Sequence, residues 1–206
     1  MKAVLKALLI LITLGAVFLF GTFIWIGSRG ISARADPGRI ETAVARTMRR
    51  LAIPRSDRDR PNPIQATAEV MAAGMSHYAD HCAACHANDG SGETDIGLGL
   101  YPKPPDMRLP ATQSLTDGEL FYIIENGVRL TGMPAWGTGR PEEAEETWHL
   151  VHFIRHLPDL TEGELAEMEG LNPRPPAEIR QQMEEERFLR GDDVTPAEPP
   201  PPAHAH

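Results

Sequence analysis

Residues 74–92 read GMSHYADHCAACHANDGSG, and the five at their centre, Cys82-Ala83-Ala84-Cys85-His86, constrain everything around them. The chain has only two cysteines in 206 residues, and both are here. Two thiols three residues apart with a histidine directly after is the spacing of c-type haem attachment. The chemistry requires that spacing. Each thiol at the end of a helix adds across one vinyl group of the same porphyrin, and the adjacent imidazole turns under the iron. Three other uses of the pattern fare worse. A disulfide over a two-residue gap is a strained, redox-active bridge rather than a staple. A thioredoxin-like dithiol belongs beside a strand–helix pattern that this region lacks. Zinc wants two further ligands at similarly tight spacing.

Working outward from the motif, the chemistry-bearing region reads as all-helical with long irregular connections. One helix runs from about residue 66 to the cysteines. On it Gly74, Tyr78 and Cys82 fall four apart, so the missing side chain at Gly74 lets another helix cross closely while Tyr78 packs beside it. A second helix starts at Thr116, where Thr116 and Glu119 make a capping box, and ends near Asn126-Gly127. A third is expected over 141–157. Pro141 suits a first helical turn, four acids there face the positive dipole end, and Pro158 stops it. Residues 89–112 carry several Gly and Pro with no clean period, and a connection that long in a small domain usually has a job. Convincing strand alternation is absent, as is any internal repeat.

Four stretches together, GMSHYADHCAACHANDGSG (74–92), LYPKPPDM (100–107), ENGVRLTGMPAWG (125–137) and EETWHLVHFIRHLP (145–158), resemble the cytochrome c family in its bacterial monohaem form. The resemblance covers about residues 66–158, under half the chain. It implies a fold of about three main helices around one covalently bound haem c, attached through Cys82 and Cys85 with His86 as proximal ligand. It also implies that Trp148, Val151 and Phe153 pack the third helix against the first, Phe153 standing where the family usually has tyrosine, and that the haem is inserted on the far side of the membrane from the cytoplasm.

The sixth iron ligand has several candidates. Met133 lies in Thr131-Gly132-Met133-Pro134-Ala135-Trp136, where Gly and Pro hold a side chain on a stiff loop, and the family pattern places the sulfur ligand there. A soft thioether stabilises Fe(II), so a His/Met pair raises the potential relative to bis-His. Met71, Met75, Met168 and Met183 fall in helical stretches and read as packing or surface residues. Met107 is in a loop, 21 residues past His86, without the flanking Gly. His149, His152 and His156 share one face of the third helix and are expected to point outward; His77 and His81 read as surface residues. Pro104 or Pro105 is expected to offer a carbonyl to the His86 N–H. Trp136 either contacts a haem propionate or is buried packing. Lys103, Arg108 and Arg129 are the bases near the haem-bearing loops, either a docking patch or neutralisers of propionates.

Charge and hydropathy divide the rest. Residues 1–27 carry +2, 28–65 carry +5, 66–159 carry −9 and 160–206 carry −7. Nucleic acid is not an expected partner of so acidic a folded part. Residues 7–27 hold no charge over 21 positions, enough to cross a hydrocarbon core of about 30 Å. A cleaved signal peptide is the competing reading, with Ala33-Arg34-Ala35 as the cleavage site, but the run exceeds a typical signal core. Segment 1–27 is thus expected to be a retained transmembrane anchor in a bacterial inner membrane, with the haem domain in the periplasm. The arginines that follow the run favour the opposite orientation, and the site of haem insertion implied by the family overrules them. Residues 28–65 are expected to be a basic tether with one amphipathic helix (Ile40, Val44, Met48, Leu51), either solvated or lying on anionic lipid, with Pro61-Asn62-Pro63 marking a break before the haem domain at 66–159. Residues 160–206 form an acidic extension with two polar helical patches and a proline-rich end expected to be disordered.

These features predict an electron carrier rather than an enzyme: a saturated iron, no catalytic acid–base pair, and an anchor that lets the domain swing between redox partner proteins at the membrane. The alternative is the haem c subunit of a membrane dehydrogenase or reductase complex. A gas or peroxide sensor needs an open sixth position, against which Met133 argues.

Overall fold

The structure, a computed structural model, describes residues 2–30, 32–140, 144–174 and 176–191, and among them every regular element is a helix. Helix α1 (Lys2–Arg29) contains the apolar run. It is long and apolar enough to cross a membrane, and the other described residues leave it uncovered. Inside it Thr13 and Thr22 donate their hydroxyls to the carbonyls of Leu9 and Phe18, both at 2.8 Å, so these polar side chains are satisfied within the helix, as hydrocarbon surroundings require.

Helix α2 (Arg39–Ala52) is the amphipathic helix of the tether. Its apolar stripe, Ile40, Val44, Met48 and Leu51, is exposed. Helix α3 (Ala68–His77) is capped by Thr67, whose hydroxyl accepts the Val70 N–H at 3.3 Å. It then widens into one π-helical turn, Tyr78–Cys82, before the last turn Ala83–His86. Such turns are rare and favour functional sites. Here the wider turn keeps Tyr78 and Ala79 in the core while Cys82 and Cys85 face a cleft.

Helix α4 (Asp117–Asn126) begins with the capping box expected of Thr116 and Glu119, both reciprocal bonds being made. Helix α5 (Ala144–His156) crosses α3 at Gly74, where an added Cβ would sit 2.5 Å from the carbonyl oxygen of His149. At that distance any larger residue forces the helices apart, at a cost of about 1–3 kcal/mol for overpacking. Beside the crossing, Tyr78 and Phe153 meet with ring centroids 5.2 Å apart, and Trp148, Val151 and Phe153 are all buried. The expected start at Pro141 lies outside the described residues, as does the tail from 192 onward.

Two expectations about the flanks need correcting. Pro61-Asn62-Pro63 do not mark a break that frees the tether, because residues 53–64 are packed on the domain that follows. Ile53 is buried, Arg60 lies over the stacked rings of Phe121 and Trp148, Asn62 donates to the Trp148 carbonyl at 3.0 Å, and Thr116 donates to the Arg58 carbonyl at 2.6 Å. Nor does the packed core stop at 159. Helix α6 (Glu162–Leu171), opened by a second capping box at Thr161 and Glu164, buries Met168 completely in the main hydrophobic cluster. Helix α7 (Pro176–Leu189) leaves Ile179, Met183 and Phe188 exposed.

Candidate haem site

The end of α3, the connection at 87–109, α4 and the loop after it enclose one predominantly apolar cleft. Cys82, Cys85, His86 and Met133 all line it. They come from two separate parts of the chain, and the fold explains how each is held.

The connection at 87–109 wraps the motif closely. Gly92 donates its N–H to the His86 carbonyl at 2.8 Å, and Met107 donates to the Gly90 carbonyl at 2.8 Å. Thr94 donates its hydroxyl to the Ala84 carbonyl at 2.8 Å. Gly97 is equally tight: an added Cβ would lie 2.5 Å from the Cys85 carbonyl oxygen. Immediately after the histidine, Ala87 takes φ +60 and ψ 158, and its carbonyl accepts the Tyr78 hydroxyl at 3.0 Å.

Met133 is carried by a loop pinned to the end of α4. The Val128 N–H bonds the Met133 carbonyl at 3.1 Å, the Met133 N–H bonds the Thr131 hydroxyl at 3.1 Å, and Trp136 and Gly137 donate to the carbonyls of Ile124 and Glu125, both at 3.0 Å. The turn rests on Gly127 at φ +63, where a Cβ would meet the Ala135 nitrogen at 2.6 Å.

The electrostatics of the motif are those of donors without partners. Burial pushes the His86 imidazole down to about 4, so it is neutral, and its Nδ1 is buried with no hydrogen-bond partner. Burial first, and the neighbouring Cys85 second, push the Cys82 thiol up to about 12. Both cysteines are free. Among the described residues no group of three or more His, Cys, Asp or Glu side chains is assembled to hold a metal ion, so a zinc cluster is not built here. Two unpaired thiols and a neutral imidazole on the wall of an apolar cleft fit a planar, largely apolar macrocycle bearing a metal.

The remaining candidates sort themselves by position. Met107 also lines the cleft, but as a buried member of the core cluster on the loop that wraps the motif. His149, His152 and His156 do not line it. Instead of pointing outward as expected they are partly buried, His152 donating Nε2–H to the Ile64 carbonyl at 2.8 Å and His156 pairing with Glu164 at 2.7 Å. Pro104 and Pro105 line the cleft, yet neither carbonyl takes the His86 N–H, and Pro104 instead packs against Gly92. Trp136 is 38% exposed, which removes the buried-packing alternative, and meets His81 edge-on at 5.3 Å. Arg108 is spent on Asp89 and Asp106, both at 2.8 Å, and Lys103 on Asp36 at 2.8 Å. Sequence reasoning missed Arg49 of α2, which lines the cleft. Its signal was its place on α2, roughly opposite the apolar stripe at 3.6 residues per turn.

Residues 69–154 match the family model described as cytochrome C oxidase, cbb3-type, subunit III. They form a cytochrome c domain. Haem-based electron transfer is the work of such a domain, and haem c its cofactor. No curated protein matches the chain. The matched segment runs from the first turn of α3 to the last turn of α5, and so contains the motif, the wrapping connection and the Met133 loop. Helices α1, α2 and α6 lie outside it.

Proposed function

We propose that this chain is a membrane-anchored electron carrier with one haem c, held by thioether bonds to Cys82 and Cys85 and ligated by His86 and Met133. The observation that carries the reading is the convergence of these four side chains, from two separately pinned segments, on one apolar cleft. The haem, when bound, supplies a one-electron Fe(III)/Fe(II) couple. The chain's own residues do the rest. The cysteines would fix the group against loss, His86 would offer it a neutral imidazole, and the Met133 loop would offer a soft sulfur. The apolar walls from Leu120, Ile124, Leu150 and Ile154 keep water away and so favour the less charged reduced state. Helix α1 anchors the chain in a bacterial inner membrane with the haem domain in the periplasm, where it exchanges electrons with protein partners at the membrane.

A second reading is favoured by the family match, whose description names an oxidase subunit. In it the same site serves as the haem c subunit of a membrane oxidoreductase complex. Purification in mild detergent separates the two: a free carrier runs alone, and a subunit brings defined partner chains with it.

The ligand set is tested on the denatured and the native protein. Denatured protein retains one haem by mass and by peroxidase staining, and loss of haem into acidified organic solvent overturns covalent attachment. Native oxidised protein shows the weak far-red band of a sulfur–Fe(III) bond. Met133→Ala removes the band and opens the iron to carbon monoxide, while Met133→His keeps the haem and lowers the reduction potential. A band that survives Met133→Ala and disappears in Met107→Ala reassigns the ligand to Met107.

A further inference from the structure

The haem cleft is closed in part by a residue from outside the cytochrome c domain. Arg49 belongs to α2, the helix between the anchor and the domain, yet it lines the cleft with His86, Lys103 and Met133. The other arginines of α2, Arg39, Arg46 and Arg50, are exposed, whereas Arg49 is half-buried. Among the described residues, none accepts a hydrogen bond from its guanidinium. The carboxylate that acts on it electrostatically is Glu119, which is already paired with Arg58 at 3.5 Å. A guanidinium taken partly out of water without an acceptor is costly, and an anion in the same cleft removes the cost.

Helix α2 is held in place by contacts at both ends. Near its start Tyr101 donates its hydroxyl to the Glu41 carboxylate, and Lys103 pairs with Asp36 at 2.8 Å. Both bases of attachment, Tyr101 and Lys103, are on the connection that wraps the haem motif. Beyond its end Ile53 is buried, and the Arg58 guanidinium donates to the carbonyls of Arg50 and Ile53. Arg49 is thus presented to the cleft by a docked helix and not by a swinging tether.

We propose that Arg49 binds a haem propionate, so that the membrane-proximal helix is the last wall of the cofactor site and sets part of its potential. A planar guanidinium takes a carboxylate through two parallel N–H···O bonds, a match that an ammonium does not reproduce. Its positive charge beside the haem favours Fe(II) and keeps the propionate ionised. The inference rests on the haem reading above.

The test uses the full-length, haem-loaded protein. Arg49→Gln is compared with Arg46→Gln, which removes the same charge from an exposed position on the same helix. Arg49→Gln is expected to lower the midpoint potential more than Arg46→Gln does, to move the acid-side inflection of potential against pH to higher pH, and to shift the propionate bending band in the resonance Raman spectrum. Arg49→Lys is expected to hold the potential near wild type while still shifting that band, because charge is kept and the bidentate geometry is lost. Equal effects of Arg49→Gln and Arg46→Gln overturn the proposal. Should Arg49→Gln fail to accumulate, an unchanged propionate band in Arg49→Lys overturns it equally. Wild-type protein without covalent haem would sink the haem reading itself, whereas haem present with an indifferent Arg49 sinks only this inference.

Discussion

Ala87 holds a conformation that glycine, not alanine, adopts freely. With φ +60 and ψ 158 directly after His86, it carries strain of about 1–3 kcal/mol. That strain persists because the surroundings fix the residue from both sides: its N–H bonds the Ala83 carbonyl at 2.8 Å, and its carbonyl takes the Tyr78 hydroxyl at 3.0 Å. Burial raises the Tyr78 pKa well above its ordinary value, which favours the protonated, donating hydroxyl. The two residues therefore predict opposite outcomes. Ala87→Gly relieves strain and gives part of it back as chain entropy, so thermal unfolding of the haem protein should shift upward, by a net of up to about 1 kcal/mol. Tyr78→Phe should shift it downward by about 1 kcal/mol, the worth of one hydrogen bond plus the unpaired Ala87 carbonyl. A destabilised Ala87→Gly would mean that the backbone here is not strained.

Among the elements, the Met133 loop shows what one glycine contributes. Gly127 ends α4 at φ +63 and ψ −171, and the returning chain at Pro134 and Ala135 passes within 2.6–2.7 Å of where its Cβ would be. Gly127→Ala should leave the covalent haem and the helices intact while displacing the loop. The expected result is loss of the far-red sulfur–Fe(III) band and gain of carbon monoxide binding, and a variant with an unchanged band would show that the loop absorbs the side chain elsewhere. The elements most legible in the sequence share one property, which is that their determinants are local. The capping box at Thr116, the helix stop near Asn126-Gly127 and the Gly74 crossing each lie within a few residues of what they specify. What escaped was set by contacts between distant segments. Asn62 bonds a carbonyl 86 residues away and His152 one 88 residues away. Met168 reads in the sequence as either a packing or a surface residue, and only the folding of α6 back on the core decides for packing. Arg49 looked like one more tether charge, because only the docked position of α2 aims it at the cleft.

At the scale of the whole molecule, the docking of residues 53–64 shortens the tether, because α2 moves with the domain. From α1 the chain needs only residues 30–38 to reach α2, where Glu41 accepts from Tyr101, Asp36 just before the helix pairs with Lys103, and Ile53 just after it is buried. The side of α2 turned away from the domain carries Ile40, Val44, Met48 and Leu51, exposed by 81%, 56%, 61% and 74%, flanked by the exposed Arg39, Arg46 and Arg50. An apolar stripe edged by arginines, this close to a helix able to span a bilayer, has the composition of a helix lying in the interface of an anionic membrane. One side of α2 would then rest on lipid while the other presents Arg49 to the haem cleft, holding the cleft at a constant height and tilt above the membrane. Full-length protein in nanodiscs should accordingly show slow amide exchange over 39–52 when the lipid is anionic, and faster exchange in zwitterionic lipid at high salt, where the arginine contribution is screened. Ile40→Asp with Val44→Asp should abolish the lipid dependence without altering the haem spectrum, because neither residue faces the cleft. Equal exchange in both lipids for the wild type would leave α2 bound to the domain alone, and the height of the haem would then be set by residues 30–38 alone.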